Sequence, residues 1–385
     1  MLYDVIIAGA GPAGSTCARA CAKAGLRTLL LERDRFPRDK PCGGAVSARA
    51  LACLDFALPL GIIERECFGV RVHYGPHTID VRKDRRIAVI VRREQFDQFL
   101  AERAVEACAV LRQGEPVRNM AVRRDHVEVT TDSERHDGRC IVGADGANSI
   151  VGRTIRPIFP RDEMDAALVG TVAAGDHEID ARIGNLLEMY FGVAPLGYGW
   201  VFPRKGSYQV GVMGQASKFM APHKVQSDFC TRAGMPVPRT KGHTIPWGGK
   251  SRPVTGPRML LAGDAAGFAD PFHGEGIANA ILSGKLAAQA VIDGIQGKKD
   301  SLAWYAAECD RLITSEMRIA LSMARMLERR PKLFLTIFFS DRKALERYLD
   351  IATGKSDYHG FRRWLLLRLP GYLLSLLRGN AFSMM

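Results

Sequence analysis

The 385-residue sequence has little of what marks a membrane-spanning or disulfide-linked protein. It contains no run of about 18 apolar residues, so we expect no membrane-spanning helix. The first residues offer neither a basic start nor an apolar signal core, and we expect no targeting segment. The nine cysteines are odd in number and scattered, which argues against a disulfide framework and for a reducing compartment. We therefore expect a cytoplasmic protein without a metal site.

The sequence has fewer acidic than basic side chains. The sequence has 54 Lys and Arg against 41 Asp and Glu, a net charge of +13, and residues 311–385 alone hold 14 basic and 6 acidic side chains. A basic excess favours anionic partners such as nucleic acid, lipid surfaces or phosphorylated small molecules. No helix-turn-helix, zinc-finger or RNA-binding signature accompanies it, so we expect no nucleic-acid partner. The length and an apolar fraction of 47% predict two globular domains.

A strand, a glycine turn and a helix open the chain. Residues 3–8 are apolar and β-branched, as is typical of a buried strand, and the GxGxxG pattern of Gly9, Gly11 and Gly14 follows. An alanine-rich stretch, residues 15–24, predicts the helix. The first glycine permits the tight turn, the second admits a pyrophosphate, and the third lets the helix approach the strand. The pattern predicts a dinucleotide site.

One acidic residue and the number of glycine motifs narrow the choice of dinucleotide. A second predicted strand, residues 28–31, ends in Glu32, where a carboxylate would meet a ribose hydroxyl. An acidic group there favours FAD or NAD over NADP, because it repels a 2′-phosphate. Only one GxGxxG follows a predicted strand, whereas a flavoprotein with its own NAD(P)H domain would show two. We expect resident FAD and a transient electron donor, either NAD(P)H or a ferredoxin-like protein.

Several further motifs carry a resemblance to a known family. Glycine turns follow predicted strands at residues 140–148 and 259–267, the second before a helix predicted from about 278 to 293. To these are added KPCGG at residues 40–44, the Arg93-x-x-Phe96-Asp97 step, and PLGYGWVFP at residues 195–203, which fits a PxxYxWxFP pattern. From residue 1 to about 294 the sequence resembles the geranylgeranyl reductase family of FAD-dependent oxidoreductases, which is of the para-hydroxybenzoate hydroxylase type.

The resemblance implies an α/β fold in which a Rossmann-like FAD-binding domain is interleaved with an antiparallel-sheet substrate domain and followed by a C-terminal helical region. The expected segments are 1–70, 93–160 and 254–296 for the FAD-binding domain, 71–92 and 161–253 for the substrate domain, and 297–385 for the helical region. The expected FAD contacts, from the motifs and the resemblance together, are Gly9, Gly11, Ala13, Gly14, Glu32, Arg33, Cys42, Gly43, Gly44, Arg93, Val117, Asp145, Gly146, Gly263, Asp264, Pro271, Gly274, Gly276 and Ile277. Among them, Asp264 is expected to bind the ribityl chain, and the N–H groups of Gly276 and Ile277 to face the flavin N1–C2=O locus.

The candidate catalytic and substrate-binding residues lie on either side of this cofactor set. Tyr198, Trp200 and Phe202 alternate, so they share one face of a strand, which is either a sheet's core face or, as the resemblance favours, the wall of a lipophilic cavity. With Tyr198 and Trp200, Cys42 and His273 are the candidate catalytic residues. Cys42 either shapes the site or donates a proton, with inert packing as the alternative. His273 is a candidate proton donor, with an ordinary capping or packing role as the alternative.

The C-terminal residues combine predicted helices with basic and apolar side chains. Residues 331–339 and 364–377 are strongly apolar, and the arginines around the second stretch are Arg362, Arg363, Arg368 and Arg378. Such a segment fits a peripheral contact with a membrane interface, and it equally fits a helical subdomain that covers the substrate cavity or a dimer contact. The sequence leaves both open.

These observations predict an FAD-dependent reductase that saturates carbon–carbon double bonds of a prenyl lipid or prenyl diphosphate, of geranylgeranyl type, by hydride transfer from reduced flavin. One alternative is a flavin-dependent monooxygenase or halogenase. The halogenases carry a WxWxIP run where this sequence has Tyr198, Trp200, Phe202 and Pro203, and the differences favour the reductase. An alternative from another class is a lipid-binding protein with structural FAD, although the cofactor motifs look intact.

Overall fold

The computed structural model of the chain describes residues 1–331, 334, 338–339 and 341–377, which build four β-sheets and a set of helices. The strands are Leu2–Tyr3 (β1), Val5–Ala8 (β2), Thr28–Glu32 (β3), Ala45–Ser47 (β4), Ile63–Cys67 (β5), Gly69–Tyr74 (β6), His77–Arg82 (β7), Ala88–Val91 (β8), Val110–Gln113 (β9), Asn119–Val122 (β10), Val127–Thr130 (β11), Arg135–Gly138 (β12), Ile141–Gly143 (β13), Met164–Ala173 (β14), Leu186–Phe191 (β15), Tyr198–Arg204 (β16), Ser207–Gln215 (β17), Thr240–Pro246 (β18), Thr255–Gly256 (β19) and Met259–Leu261 (β20).

The helices with described bounds are Pro12–Lys23 (α1), Ala48–Ala52 (α2), Arg93–Glu106 (α3), Ile150–Ile155 (α4), Asp176–Arg182 (α5), Pro222–Arg232 (α6), Ile277–Ile295 (α7), Ser301–Cys309 (α8), Ser315–Arg329 (α9), Arg342–Ala352 (α10) and Tyr358–Leu377 (α11). A π-helical turn, Asp310–Thr314, joins α8 to α9. Short 3-10 turns lie at Leu60–Ile62, Arg161–Glu163 and Gly263–Ala265.

A six-stranded sheet in the order β19-β20-β13-β2-β3-β9 carries the N-terminal glycine motif. All its pairings are parallel except that between β19 and β20. Strands β2 and β3 are buried along their whole length, as continuous apolar strands of a parallel sheet are expected to be. Helix α1 packs against both α3 and α7. The carboxyl ends of β2, β13 and β20 therefore point their glycine turns at one edge of the sheet.

Two local boundaries differ from the sequence prediction. The strand predicted over residues 3–8 is interrupted at Asp4, whose carboxylate accepts a hydrogen bond of 2.9 Å from the backbone N–H of Arg27. The helix predicted from residue 15 begins instead at Pro12, because proline is well tolerated in the first turn of a helix, where its missing N–H has no partner to lose.

A seven-stranded sheet in the order β18-β14-β17-β16-β15-β6-β7 forms the other large layer. Its pairings are antiparallel except that of β15 with β6, which is parallel. The predicted antiparallel character of residues 166–249 is confirmed, but helices α5 and α6, which interrupt those strands, were not predicted. Strands β6 and β7 join this sheet, whereas β8 pairs with β4 and β5 in a separate three-stranded sheet. The predicted α/β fold class is confirmed, while the exact domain division stays a prediction.

The described C-terminal residues are helical and pack onto the rest of the protein. Helix α11 packs against α9 and α10, and α10 contacts β7 and α2. Most of the apolar stretch 331–339 and Arg378 lie outside the described residues. Within the described part of the chain, no helix has both the length and the apolar character needed to cross a membrane.

The main hydrophobic core determines where the two large sheets face each other. It continues from Ile6 and Val142 of the parallel sheet, past Trp200 on the inner face of the seven-stranded sheet, to Phe272 and Tyr358. A second core lies on the opposite face of the seven-stranded sheet, under helices α5 and α6. The space between the inner face of the seven-stranded sheet and the glycine turns is therefore where a site can form.

Candidate active site

The glycine turn after β2 forms a cradle that is open at one position. Gly9 has φ +96°, and a Cβ atom there would overlap the carbonyl oxygen of Ala144. A Cβ atom at Gly14 would overlap the carbonyl oxygen of Gly9. At Gly11, in contrast, the nearest atom to an added Cβ is Arg38 Nη2 at 3.9 Å, so the backbone faces open space. The first and third glycines thus allow close packing, and the second leaves room for a dinucleotide at the N-terminus of α1.

The carboxylate of Glu32 holds the glycine turn in place through two contacts. One carboxylate oxygen accepts a hydrogen bond of 2.9 Å from the N–H of Ala10, and the other lies 3.3 Å from Arg38 Nε. Arg38 continues to Asp97, with Nη2 and Oδ2 3.1 Å apart, and Asp97 holds Arg93 through two bonds of 2.8 and 2.9 Å. Arg38 was not singled out in the sequence. The signal available was a basic residue six positions after the acidic end of β3.

A cavity of about 570 Å³ lies between this cradle and the inner face of the seven-stranded sheet. The predicted cofactor residues line it with two exceptions, Gly14 and Pro271. Gly14 does not line the cavity because it packs directly against the backbone of Gly9, where α1 meets the turn. The predicted substrate and catalytic residues Tyr198, Trp200, Phe202 and His273 line the same cavity. The structure therefore brings together residues that are up to 268 positions apart in the sequence, from Gly9 to Ile277.

Two predicted acidic contacts differ in what their carboxylates do. Asp145 accepts hydrogen bonds from Ser149 Oγ at 2.5 Å and from the N–H of Ile150 at 2.7 Å, so it caps the start of α4. Burial nevertheless raises the pKa of Asp145. Asp264 lies at the end of β20 and faces Gly276, where an added Cβ would come within 3.3 Å of its Oδ1. Asp264 and the open N-terminus of α7 thus fit the flavin-side role expected for them.

The aromatic side chains of β16 form a continuous wall. The ring centroids of Tyr198 and Trp200 are 5.9 Å apart, and those of Trp200 and Phe202 are 6.2 Å apart. The loop that carries Cys42 lies against this wall, since a Cβ at Gly43 would be 3.0 Å from the Phe202 ring and 3.2 Å from Trp200 Nε1. Trp200 Nε1 is buried and has no hydrogen-bond partner among the described residues. A molecule bound in the cavity can supply an acceptor for it.

Cys42 lies between the wall and the arginine of α3. Its sulfur accepts a hydrogen bond of 3.4 Å from the N–H of Gly44. Arg93 is buried, which alone would lower its pKa, but the carboxylate of Asp97 and the hydrogen bonds of Arg93 to Asp97 and to the Cys42 sulfur hold its pKa above its usual value. The residue is therefore a fixed cation beside the Cys42 sulfur at all physiological pH values.

His273 is the centre of a buried network of charged and hydroxyl groups. Its Nδ1 lies 3.0 Å from Asp270 Oδ1 and 3.1 Å from Tyr358 Oη, and its Nε2 lies 3.3 Å from Glu275 Oε2. Tyr358 also donates a 2.7 Å hydrogen bond to Asp270 Oδ2, and Tyr198 donates one of 2.5 Å to the carbonyl of His273. Burial disfavours the imidazolium, but the two carboxylates outweigh it and raise the pKa of His273 to about 10. His273 is therefore a cation at neutral pH.

An apolar pocket of about 40 Å³ adjoins the cavity at His273. Val70, Met189, His273, Tyr348 and Leu349 line both spaces. The pocket is otherwise lined by apolar and aromatic side chains of the sheet and the C-terminal region: Val72, Tyr74, Phe191, Phe272, Leu327, Phe334, Phe338, Phe339 and Leu345. The C-terminal helices therefore wall off one end of the cavity, as one of the two sequence alternatives expected.

Comparison with known proteins identifies this arrangement. A family model described as an FAD binding domain matches residues 2–182. The geranylgeranyl diphosphate reductase of Arabidopsis thaliana chloroplasts is 32% identical over 328 residues, 77% of this chain and 67% of the relative. The digeranylgeranylglycerophospholipid reductase of Thermoplasma acidophilum is 30% identical over 330 residues, 76% of this chain and 79% of the relative. The chain belongs to the geranylgeranyl reductase family.

A solved structure supports the fold over the whole chain. The crystal structure of a geranylgeranyl bacteriochlorophyll reductase-like protein from Thermoplasma acidophilum superposes with a TM-score of 0.80 at 24% identity, covering 98% of this chain and 99% of that one. As a member of the geranylgeranyl reductase family, the protein is an FAD-dependent oxidoreductase, and the predictions of family, cofactor and enzyme class are confirmed.

Proposed function

We propose that this member of the geranylgeranyl reductase family saturates carbon–carbon double bonds of a prenyl chain carried by a lipid or a diphosphate. The observation that carries the proposal is a path of lining residues that starts at the FAD cradle, follows the aromatic wall and reaches the apolar pocket, which shares five lining residues with the cavity. A long hydrocarbon chain fits such a path, because burying it in apolar surroundings gains about 25 cal/mol per Å². The curated relatives named above act on geranylgeranyl compounds by their names, which supports the same class of substrate.

The proposed roles of the residues follow from their places on this path. The cradle residues and Asp264 would hold FAD, together with the N–H groups of Gly276 and Ile277. Bound FAD supplies the hydride chemistry of the flavin ring. Tyr198, Trp200 and Phe202 would lay the chain flat and keep water out, which positions one double bond at a time.

The proton for the second alkene carbon needs a source. His273 lines both parts of the cavity and carries a proton at neutral pH, so we propose that it supplies this proton, held by Asp270 and Glu275. Glu275 is also bonded by Ser47 Oγ. Cys42 is the second candidate, because it lines the cavity and its sulfur lies beside Arg93.

The partners outside the cavity are part of the proposal too. With a single glycine cradle of the dinucleotide type, electrons would come from a transient donor, NAD(P)H or a ferredoxin-like protein. Helix α11 exposes Leu367 and Leu374, 82% and 52% exposed, on the side that also carries Arg362 and Arg363. This outer face supports a peripheral contact with an anionic membrane surface.

Anaerobic single-turnover experiments test the proposal. Enzyme with chemically reduced flavin is mixed with geranylgeranyl diphosphate or a geranylgeranyl lipid, and flavin reoxidation is followed together with product mass. Each reduced bond should add the mass of two hydrogens, and the fully saturated analogue should leave the flavin reduced. Flavin that stays reduced with every prenyl compound would exclude the reductase, and oxygen consumption in stoichiometric coupling to product would favour the monooxygenase or halogenase alternative.

A further inference from the structure

Two basic side chains meet at the end of the cavity opposite the apolar pocket. Lys40 Nζ, from the loop after β3, lies 2.5 Å from His243 Nε2 on the edge strand β18. Both residues line the cavity. They are 203 positions apart in the sequence, and no motif connects them. The fold alone creates this pair.

The pair lacks an anion of its own. Among the described residues, no carboxylate lies within ion-pair distance of Lys40, whereas Arg38 and Arg93, which line the same cavity, are both paired with Asp97. Burial lowers the pKa of Lys40, and the more distant charge of Asp264 opposes this only in part. A half-buried ammonium without an anionic partner is costly, and one that lines a cavity marks a candidate binding site for negative charge.

A row of side chains connects the pair to the apolar pocket across six strands of the sheet. Its members are cross-strand partners on the inner face: His243, Ala167, Met213, Tyr198, Phe191 and Tyr74. Five strand spacings make this row about 24 Å long. One end is basic, the middle passes the aromatic wall, and the other end is closed by Tyr74 and the C-terminal helices. This polarity matches an amphiphile with an anionic head and a long apolar chain.

We infer that Lys40 and His243 form the binding site for the phosphoryl head of the substrate, whose prenyl chain follows the row past Tyr198 to the apolar pocket. This inference rests on the proposed function for the identity of the chain. The head is a phosphoryl group in both a prenyl diphosphate and a phospholipid, and two adjacent N–H donors of positive charge can bind it. A nicotinamide nucleotide carries the same group, and it is treated as a separate arm of the test.

Binding of the phosphoryl head should be accompanied by uptake of a proton from solution at His243. Burial lowers the pKa of His243 to about 4, and the neighbouring charge of Lys40 acts in the same direction. The other charged groups that act on His243 are Asp264, Arg93 and Arg33. His243 is thus neutral at pH 6 in the free site, where it accepts a hydrogen bond from Lys40. A phosphoryl dianion next to it raises its pKa, so binding near pH 6 should take up a proton.

Calorimetric titration of the oxidised, FAD-loaded protein tests the inference. Geranylgeranyl diphosphate and geranylgeraniol differ only in the head, so their ratio of Kd values isolates it. We expect Lys40→Gln to weaken the diphosphate at least about tenfold and to leave the alcohol unchanged, because a charge-assisted hydrogen bond contributes about 1.5–3 kcal/mol. Lys40→Arg should restore most of the affinity. The matched control is Lys241→Gln. Lys241 lies on β18, two residues before His243, but its side chain is exposed and donates a hydrogen bond of 2.5 Å to Asp39.

Proton uptake gives a second readout that a folding defect would not mimic. Titrations at pH 6 in buffers of different ionisation enthalpy should show more proton uptake with the diphosphate for the wild type than for His243→Gln, since this difference removes the titration of the diphosphate itself, and no uptake with the alcohol. Equal weakening of alcohol and diphosphate in Lys40→Gln, loss of FAD absorbance in that variant, or the same effect from Lys241→Gln would overturn the inference. If Lys40→Gln weakens NADPH but not the diphosphate, the head assignment is wrong and the reductant's phosphate occupies the site.

Binding and catalysis can fail separately in this design. All titrations use oxidised protein, so they do not require any double bond to be reduced. Head-dependent binding without reduction would contradict the proposed function and support the phosphoryl site. Reduction of prenyl chains with no dependence on the head would support the proposed function and contradict the phosphoryl site.

Discussion

If His273 is charged in the folded protein, the free energy of unfolding should decrease as the pH rises above neutrality. In the folded protein Asp270 and Glu275 raise its pKa to about 10, against about 6.5 for an unfolded histidine. A group whose pKa is raised by folding stabilises the protein fully below pH 6.5, and this contribution disappears as the pH rises through 10. Between pH 7 and pH 9 the folded state keeps the proton and the unfolded state does not. The loss over these two pH units is about 2–3 kcal/mol, because one pKa unit corresponds to about 1.4 kcal/mol.

Urea unfolding of the wild type and of His273→Gln at pH 7 and pH 9 measures this loss. Other groups titrate in the same window, among them Asp165, whose pKa burial raises to about 8, and they are present in both proteins. The wild type should lose more stability than the variant over this interval, by about 2–3 kcal/mol. His223→Gln, a change at an exposed histidine of α6, should behave like the wild type. Parallel stability curves for the wild type and His273→Gln would show that His273 is not charged and would remove it as the proton source.

The remaining predictions concern the cradle, the C-terminal helix and the apolar pocket. Gly14→Ala should prevent folding, because its Cβ overlaps the backbone of Gly9, whereas Gly11→Ala should fold with a similar Tm but retain less FAD, as flavin absorbance per protein will show. Tyr358→Phe removes a hydrogen bond to a buried carboxylate and should lower the free energy of unfolding by about 1.5–3 kcal/mol in urea titrations. Val72→Phe should fill the apolar pocket, and it should reduce kcat/KM for geranylgeranyl substrates much more than for short prenyl chains.

The sequence predicts a site residue well when the motif that identifies it is short and continuous in the chain. The places of Gly9 and Asp264 at the cavity could be predicted because each lies in a turn whose geometry is fixed by a few adjacent residues. The ordering bond from Ala10 to Glu32 spans only one strand-helix-strand unit. Asp145 shows the limit of such motifs, since its carboxylate caps α4 while its backbone turn still lines the cavity. A motif locates a residue, but the partner of its side chain is chosen by the neighbouring elements.

Groups assembled from distant segments left no signal in the sequence. Lys40 meets His243, and Tyr358 meets Asp270 and His273, only because the sheet edge and the C-terminal helix are folded against the site. Their contacts depend on the order of strands in the seven-stranded sheet, which includes one parallel pair that alternation alone does not predict. Helices α5 and α6 were missed for a related reason. They cover the outer face of the sheet, and their burial is set by that tertiary packing.

The distribution of charge now has a different meaning from the one that composition suggests. Most of the basic excess lies after residue 310, and by itself it would place an anionic substrate head near the C-terminus. Among the described residues, however, Arg362 and Arg363 are exposed on α11 and do not line the cavity, while the C-terminal contribution to the cavity is apolar. The cations that line the cavity, Arg33, Arg38, Lys40, Arg93, Arg118 and His273, all lie in segments that the sequence assigns to the FAD-binding domain. The described C-terminal residues therefore provide apolar side chains at the apolar pocket and the hydroxyl of Tyr358, and the membrane contact proposed above would be made by their exposed outer face.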